Sequence, residues 1–209
     1  MQTQPGYDAL ASAYDEAFPT GYATLVERHV VALFAEELLA DGPAGPVVDL
    51  GWCGAGHITH DLDRRGLDVL GVDPSTGMLD LARRRYPQLR WHRDDAALGR
   101  LPVDLSPLGG ILARFSLIHV APETVPEVLA AWAARLRPGA SVLVAFQVSE
   151  DPGSPVLEFD HAVARAWRWH PDAMAAALAE AGLSERWRLV SQPDDSNRFS
   201  TCHLACRLA

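Results

Sequence analysis

The sequence predicts an α/β fold: an open, mostly parallel sheet with helices on both faces. Two observations support this prediction. Short apolar runs alternate with stretches of helical spacing along most of the 209 residues, which is the pattern of repeated strand–helix–strand units. In addition, the run at residues 141–147 is apolar along its length, as expected of a parallel strand that helices cover on both sides.

The N-terminal part is predicted to be helical. Tyr7 and Tyr14 share one face of a short helical stretch, and a longer helix is predicted over residues 20–39. A cluster of glycines and prolines at 41–46 ends this part. We therefore expect residues 1–44 to form a helical lid.

Strands and helices alternate in the central part, residues 45–147. The strands are predicted at 46–50, 68–72, 89–92, 109–115 and 141–147, and the helices between them at 57–65, 75–85 and 123–135. Residues 148–171, which contain a polar loop and an aromatic stretch without clear period, are expected to form a cap. Residues 172–209 are expected to form a C-terminal helix and a hairpin of strands 187–192 and 201–208. One domain accommodates all of these parts.

Composition excludes several function classes. The formal net charge is -9 and the pI is about 5.3, which argues against binding to nucleic acid or to an anionic membrane. No apolar run approaches the roughly 18 residues of a membrane span, and the first residues carry no signal-peptide pattern. Three cysteines do not form a disulfide framework. We expect a cytoplasmic protein that is monomeric or homodimeric.

A glycine-rich turn follows the first predicted strand and opens the next helix. Gly51, Gly54 and Gly56 lie in this turn, where glycines let backbone N–H groups approach a ligand. A second apolar run ends at Asp73. Its separation from the glycine turn along the sequence is close to that of an acid that binds a ribose. Together they indicate a nucleoside-bearing cofactor across the carboxyl ends of parallel strands.

The order and spacing of five motif groups resemble those of class I S-adenosylmethionine-dependent methyltransferases, and the resemblance covers nearly the whole chain. The groups are Asp-Leu-Gly at 49–51 with Gly-Ala-Gly at 54–56, Gly-Val-Asp-Pro-Ser at 71–75 with Met-Leu at 78–79, Asp-Ala at 95–96, Ser-Leu-Ile-His at 116–119, and Leu-Arg-Pro-Gly at 136–139. The chain is most similar to small, stand-alone enzymes of actinobacterial type. The resemblance implies a Rossmann-like sheet of seven strands with an antiparallel last strand.

The resemblance also implies S-adenosylmethionine as cofactor, S-adenosylhomocysteine as product, and a set of cofactor-binding residues. This set is Tyr14, Asp49, Gly51, Gly54, Gly56, Asp73, Pro74, Met78, Asp95, Ala96, Arg114 and Phe115. Asp73 is expected to accept the ribose hydroxyls, with a helix N-cap as the alternative. Asp95 is expected beside the adenine amino group, with Asp94 as its rival. Phe115 could contact the sulfonium or only pack in the core.

On the acceptor side, His119 is the candidate general base, because an imidazole titrates near neutrality; a structural histidine is the alternative. His161, Arg168 and Trp169 are expected to cap the acceptor site or to serve packing only. We expect no metal site, because neighbouring side chains on a strand, such as Cys202 and His203, point to opposite faces.

The predicted reaction is an in-line transfer of a methyl group to a small-molecule acceptor, with the protein supplying orientation. One departure from the family pattern is Trp52, an extra residue in the glycine turn. Either the turn bulges by one residue or the pocket is altered. The alternative functions are an NAD-dependent oxidoreductase, and a non-catalytic cofactor-binding module whose pocket Trp52 changes.

Overall fold

A computed structural model describes residues 6–9, 11, 16, 21–40, 45–51, 54–195 and 197–209. Tyr14 and Trp52 lie outside these residues, and so do the cofactor contact predicted for Tyr14 and the bulge predicted at Trp52. Among the residues described, no helix combines the length and the apolar composition that crossing a bilayer requires.

Seven strands form the main sheet: β1 (Val47–Leu50), β2 (Val69–Asp73), β3 (Arg90–Arg93), β4 (Leu108–Arg114), β5 (Leu136–Gln147), β8 (Leu183–Ser191) and β9 (Thr201–Leu208). Their order is β3-β2-β1-β4-β5-β9-β8. Strands β1 to β5 pair in parallel, whereas β9 runs antiparallel to β5 on one side and to β8 on the other. The predicted fold class, including the antiparallel last strand, is confirmed.

Among the described residues, the α-helices with defined bounds are α1 (Leu25–Ala40), α2 (His57–Arg64), α3 (Thr76–Arg85), α4 (Val125–Ala133) and α5 (Pro171–Glu180), and residues 6–9 are also helical. Alternation along each strand divides the core into two layers. Val47 packs in one cluster with residues of α1 and α2, such as Phe34 and Leu62. Val48 packs in the other cluster, with residues of α4 and α5.

The structure differs from the prediction in two places. A separate antiparallel hairpin, β6 (Val156–Phe159) and β7 (Ala166–Trp169), lies within residues 148–171, which were expected to form a cap and for which no strand was predicted. These strands have four residues each, which is too short for a clear alternation. Strand β5 begins at Leu136 rather than at residue 141, because Leu136 already pairs with Leu108 of β4 before the register shifts between Leu108 and Gly110.

Trp91 of β3 positions the glycine turn against the sheet. A Cβ atom on Gly56 would lie 2.5 Å from Cη2 of this indole, and one on Gly71 would overlap Cζ3. The indole itself is held because its Nε1–H donates to the carbonyl oxygen of Tyr86 at 3.1 Å. The two glycines therefore make room for a tryptophan that cannot easily move.

We expect Gly71→Ala to destabilise the protein by about 1–3 kcal/mol, because the added methyl group would overpack the indole. Urea denaturation measures this change. The matched control is Gly99→Ala, since no atom lies within 4 Å of a Cβ at that position. Equal unfolding free energies for the two variants would contradict the role given to Trp91.

Candidate functional site

A cleft opens where the carboxyl ends of β1, β2 and β4 meet, which is the usual ligand position in open parallel sheets. It holds about 580 Å³ of empty space, part of which is open to solvent. Its lining comprises Tyr7, Leu50, Gly51, Asp73, Pro74, Met78, Asp95, Ala96, Phe115, Ser116, His119 and Val120. The structure thus brings eight predicted site residues together: Gly51, Asp73, Pro74, Met78, Asp95, Ala96, Phe115 and His119.

The glycine turn reaches the cleft at Gly51. This residue has φ 66°, and a Cβ there would lie 2.5 Å from Cβ of Ser116. Gly56 does not line the cleft. Gly56 begins α2 with φ 83° and packs on Trp91, so packing and backbone conformation account for it without a ligand.

Asp49 lies beneath the turn and does not line the cleft. It is 2% exposed, and its Oδ2 accepts a hydrogen bond of 2.7 Å from the Thr59 hydroxyl. Burial raises the pKa of Asp49 to about 7, although the Thr59 hydrogen bond and the charge of Arg114 lower it. Asp49 therefore orders the turn from below.

Asp73 ends β2 and faces the cleft. Its Oδ1 accepts from the Ser75 N–H at 2.8 Å, which holds the buried carboxyl group in place. The N-cap of α3 is Ser75, whose Oγ accepts from the Met78 N–H. The alternative role of Asp73 as the helix cap is therefore not the arrangement observed.

Of the two acids that follow β3, Asp95 lines the cleft. Asp94 is 1% exposed, and its oxygens accept from the N–H groups of Asp95 and Arg100 at 2.9 and 2.7 Å. Asp94 thus stabilises the loop, and Asp95 is the acid that a ligand can reach.

Arg114 and Phe115 end β4 with opposite orientations. Phe115 lines the cleft and has φ 51°, a left-handed conformation that is rare for a bulky residue and is often found at functional sites. Arg114 lies outside the cleft lining. Its Nη2 is 2.5 Å from Oε2 of Glu27, and both side chains are almost fully buried. Through this ion pair Arg114 packs under α1, with its guanidinium 5.8 Å from the centroid of the Phe115 ring.

His119 lines the cleft between two hydrogen-bond partners. Its Nδ1 lies 2.9 Å from the carbonyl oxygen of Arg165, and its Nε2 lies 2.9 Å from the Tyr7 hydroxyl. A carbonyl oxygen only accepts, so Nδ1 carries the hydrogen and Nε2 accepts from Tyr7. Burial lowers the pKa of His119 to about 4, so the imidazole is neutral near pH 7.

The three predicted cap residues do not line the cleft. The ring of His161 packs against the ring of His119, with centroids 4.8 Å apart, and His119 is the one of the two that lines the cleft. Trp169 is 6% exposed and belongs to the core. The Arg168 guanidinium lies over the Phe199 ring, 4.1 Å from its centroid. They lie on or beside the hairpin β6–β7, whose position the sequence pattern did not show.

Four lining residues were not in the predicted set: Tyr7, Leu50, Ser116 and Val120. Leu50, Ser116 and Val120 lie in or beside the recognised motifs, and their position there is the signal that could have found them. Tyr7 shares a predicted helical face with Tyr14, which made it a packing residue. Within the described part of the chain, no group of three or more His, Cys, Asp or Glu side chains is arranged to hold a metal ion.

Comparisons with known proteins agree with this geometry. Residues 47–139 match the family described as a methyltransferase domain. Trans-aconitate 2-methyltransferase of Variovorax paradoxus is 37% identical over 142 residues, which are 65% of this chain and 51% of that protein. The curated relatives are matched over only 28% to 59% of their own lengths.

Two solved structures share the fold. Magnesium protoporphyrin IX methyltransferase of Synechocystis, with bound S-adenosylhomocysteine, has a TM-score of 0.71 at 17% identity and covers 99% of this chain and 98% of its own. The 1,6-didemethyltoxoflavin-N1-methyltransferase of Burkholderia thailandensis, with 1,6-didemethyltoxoflavin and S-adenosylhomocysteine, has a TM-score of 0.68 at 20% identity and covers 100% and 92%.

The buried ion pair generates one prediction. Glu27→Gln should destabilise the protein by about 3–5 kcal/mol, because it leaves the Arg114 charge buried without a counter-ion. Urea denaturation would measure the loss. Asp80→Asn is the control, since it breaks the half-exposed pair Arg83–Asp80, for which we expect less than about 1 kcal/mol. Losses of similar size in the two variants would argue against the role of the buried pair.

The raised pKa of Asp49 predicts that the unfolding free energy of the protein depends on pH. Its folded pKa of about 7 lies above the ordinary value of 3.8, so between these values the folded state holds a proton that the unfolded state has lost. This contribution to stability is complete below about pH 4 and is lost as the pH rises through 7. From pH 6 to pH 8, the unfolding free energy should fall by about 1 kcal/mol more in the wild type than in Asp49→Asn. If the unfolding free energies of the wild type and Asp49→Asn changed equally with pH in urea denaturation, this prediction would be refuted.

Proposed function

We propose that this chain, whose residues 47–139 match the methyltransferase domain family, is an S-adenosylmethionine-dependent methyltransferase with a small-molecule acceptor. The observation that carries the proposal is the cleft itself. It is lined by Asp95 after β3, Asp73 at the end of β2 and Phe115 after β4, and the strand order β3-β2-β1-β4 is the order in which an adenine, a ribose and a sulfonium group follow one another in the cofactor.

The residues present fit an adenosyl cofactor. Gly51 lines the cleft without a side chain, and such close backbone approach suits the methionine portion of the cofactor. Asp73 supplies a buried carboxyl group for the ribose hydroxyls. Asp95 and Ala96 would hold the adenine, while Met78 offers an apolar contact in the same cleft.

S-adenosylmethionine supplies the methyl group as part of a sulfonium when it is bound. The chain's own contribution is orientation: an acceptor atom must be held about 3–3.5 Å from the methyl carbon and in line with the bond that breaks. Phe115 and His119 line the part of the cleft that follows β4, and we assign the acceptor to this part. The Phe115 ring would also attract the sulfonium charge by about 0.5–2 kcal/mol.

We further propose a cytoplasmic enzyme, monomeric or homodimeric, that does not act on nucleic acid. The net charge of -9 supports the last point, because a basic surface favours nucleic-acid binding. Cys202 and Cys206 are both buried free thiols, which suits a reducing compartment.

We expect S-adenosylhomocysteine to bind in isothermal titration calorimetry and NAD to show no binding. Asp73→Ala should weaken the binding of S-adenosylhomocysteine by about 10- to 100-fold, the loss of a charged hydrogen bond. Asp80→Ala, a substitution on the exposed side of α3, is the control and should bind as the wild type does. Binding of NAD in preference to S-adenosylhomocysteine would refute the proposed function, and an unchanged affinity in Asp73→Ala would refute the ribose contact.

A further inference from the structure

The cleft contains a hydrogen-bonded chain of three groups: the Tyr7 hydroxyl, the His119 imidazole and the Arg165 carbonyl. The carbonyl fixes the hydrogen of the imidazole on Nδ1, so the lone pair of Nε2 is directed to Tyr7. Because Tyr7 and His119 both line the cleft, a ligand there can reach the hydroxyl that donates to the histidine.

Tyr7 is held in this position from both sides along the chain. Gly6 packs against Val163 with no room for a side chain. On the other side, Oδ1 of Asp8 accepts from the Ser75 hydroxyl at 2.7 Å and from the Gly77 N–H at 2.9 Å. The N-terminal segment therefore presents Tyr7 to the cleft from a defined position.

We propose that Tyr7 and His119 form a proton relay for a hydroxyl acceptor. As the acceptor oxygen is methylated, its O–H bond breaks and the proton passes to Oη of Tyr7, while the Tyr7 proton passes to Nε2 of His119. The electron pair of the O–H bond stays on the oxygen and forms the new bond to carbon, and the pair of the carbon–sulfur bond leaves with sulfur. This inference rests on the proposed methyltransferase function.

Charge conservation supports the relay. Methyl transfer removes the positive charge of the sulfonium, and protonation of His119 restores one positive charge to the same cleft. A buried imidazolium is normally costly, because burial disfavours charge, and the pKa of His119 is low for this reason. The cost is smallest when another cation disappears from the site at the same time.

The chemistry selects the class of acceptor. A hydroxyl oxygen is a poor nucleophile until its proton leaves, whereas a carboxylic acid is already ionised near pH 7 and needs no relay. The titratable groups around His119 are Tyr7 and His161, in contact with it, and Asp73 and Asp95, which line the same cleft. Tyr7 is the group of these four that hydrogen-bonds to Nε2.

Two-bond proton–nitrogen NMR spectra of protein labelled with ¹⁵N-histidine test the relay without an acceptor. The His119 signals are assigned by their loss in His119→Gln. With S-adenosylhomocysteine bound, the wild type should show His119 protonated on Nδ1. Protonation on Nε2 would overturn the relay, because Tyr7 would then be the acceptor of that hydrogen bond.

A second measurement compares the pKa of His119 in the complexes with S-adenosylmethionine and S-adenosylhomocysteine. We expect it to be lower by at least about half a pH unit with S-adenosylmethionine than with S-adenosylhomocysteine, since a nearby cation disfavours the imidazolium. Equal values would overturn the charge exchange. If neither ligand binds, the proposed function itself fails, and the spectra of the free protein still report the tautomer.

A third measurement follows the His119 signals in two matched tyrosine variants. Tyr7→Phe should raise the His119 pKa by about one unit, because the donor that favours the neutral ring is lost. Tyr86→Phe removes a similar hydrogen bond of 3.0 Å to His57, outside the cleft lining, and should leave the His119 signals unchanged. Unchanged His119 signals in Tyr7→Phe, or equal shifts in both variants, would overturn the relay.

Discussion

Gly51, directly after β1, lies against Ser116, which follows β4, and the cleft depends on this close contact. The Gly51 N–H donates to the carbonyl oxygen of Val72 at 2.7 Å, and a Cβ on Gly51 would reach Cβ of Ser116. β1 is thus held between both neighbours at the point where it turns into α2. A side chain at this position would move β4 away from β2, and with it the residues that line the two sides of the cleft.

Arg114, the last residue of β4, contacts α1, whereas Phe115, the next residue, lines the cleft. Arg114 and Glu27 tie the start of α1 to the sheet through an ion pair, with a further bond from Arg114 to the carbonyl oxygen of Gly21 at 3.4 Å. A buried pair of this kind is weak evidence for net stability, because both charges lose their water. Its effect is positional. Phe115 keeps a strained backbone because its N–H donates to Ala145 at 2.8 Å, and this directs its ring to the cleft.

Sequence patterns located the strands, the helices of the central part and most of the cleft, because each of these depends on local periodicity or on a motif at a strand end. They failed where the outcome depends on contacts between distant segments. The ion pair Arg114–Glu27 joins residues that lie 87 positions apart, and nothing local marks either partner. The same holds for Tyr7, which reaches His119 across 112 positions. The hairpin β6–β7 was missed for the opposite reason: its strands are too short to show a period.

The N-terminal segment contacts both sides of the cleft at once. Asp8 bonds to the start of α3, directly after Asp73, the acid that we propose for the ribose, while Tyr7 bonds to the histidine after β4. The position of Tyr7 is therefore linked to the geometry of β2 and α3, although its partner His119 follows β4. Because Tyr7 and Asp8 are adjacent, a ligand that moves the turn after β2 would also change the hydrogen bond at His119.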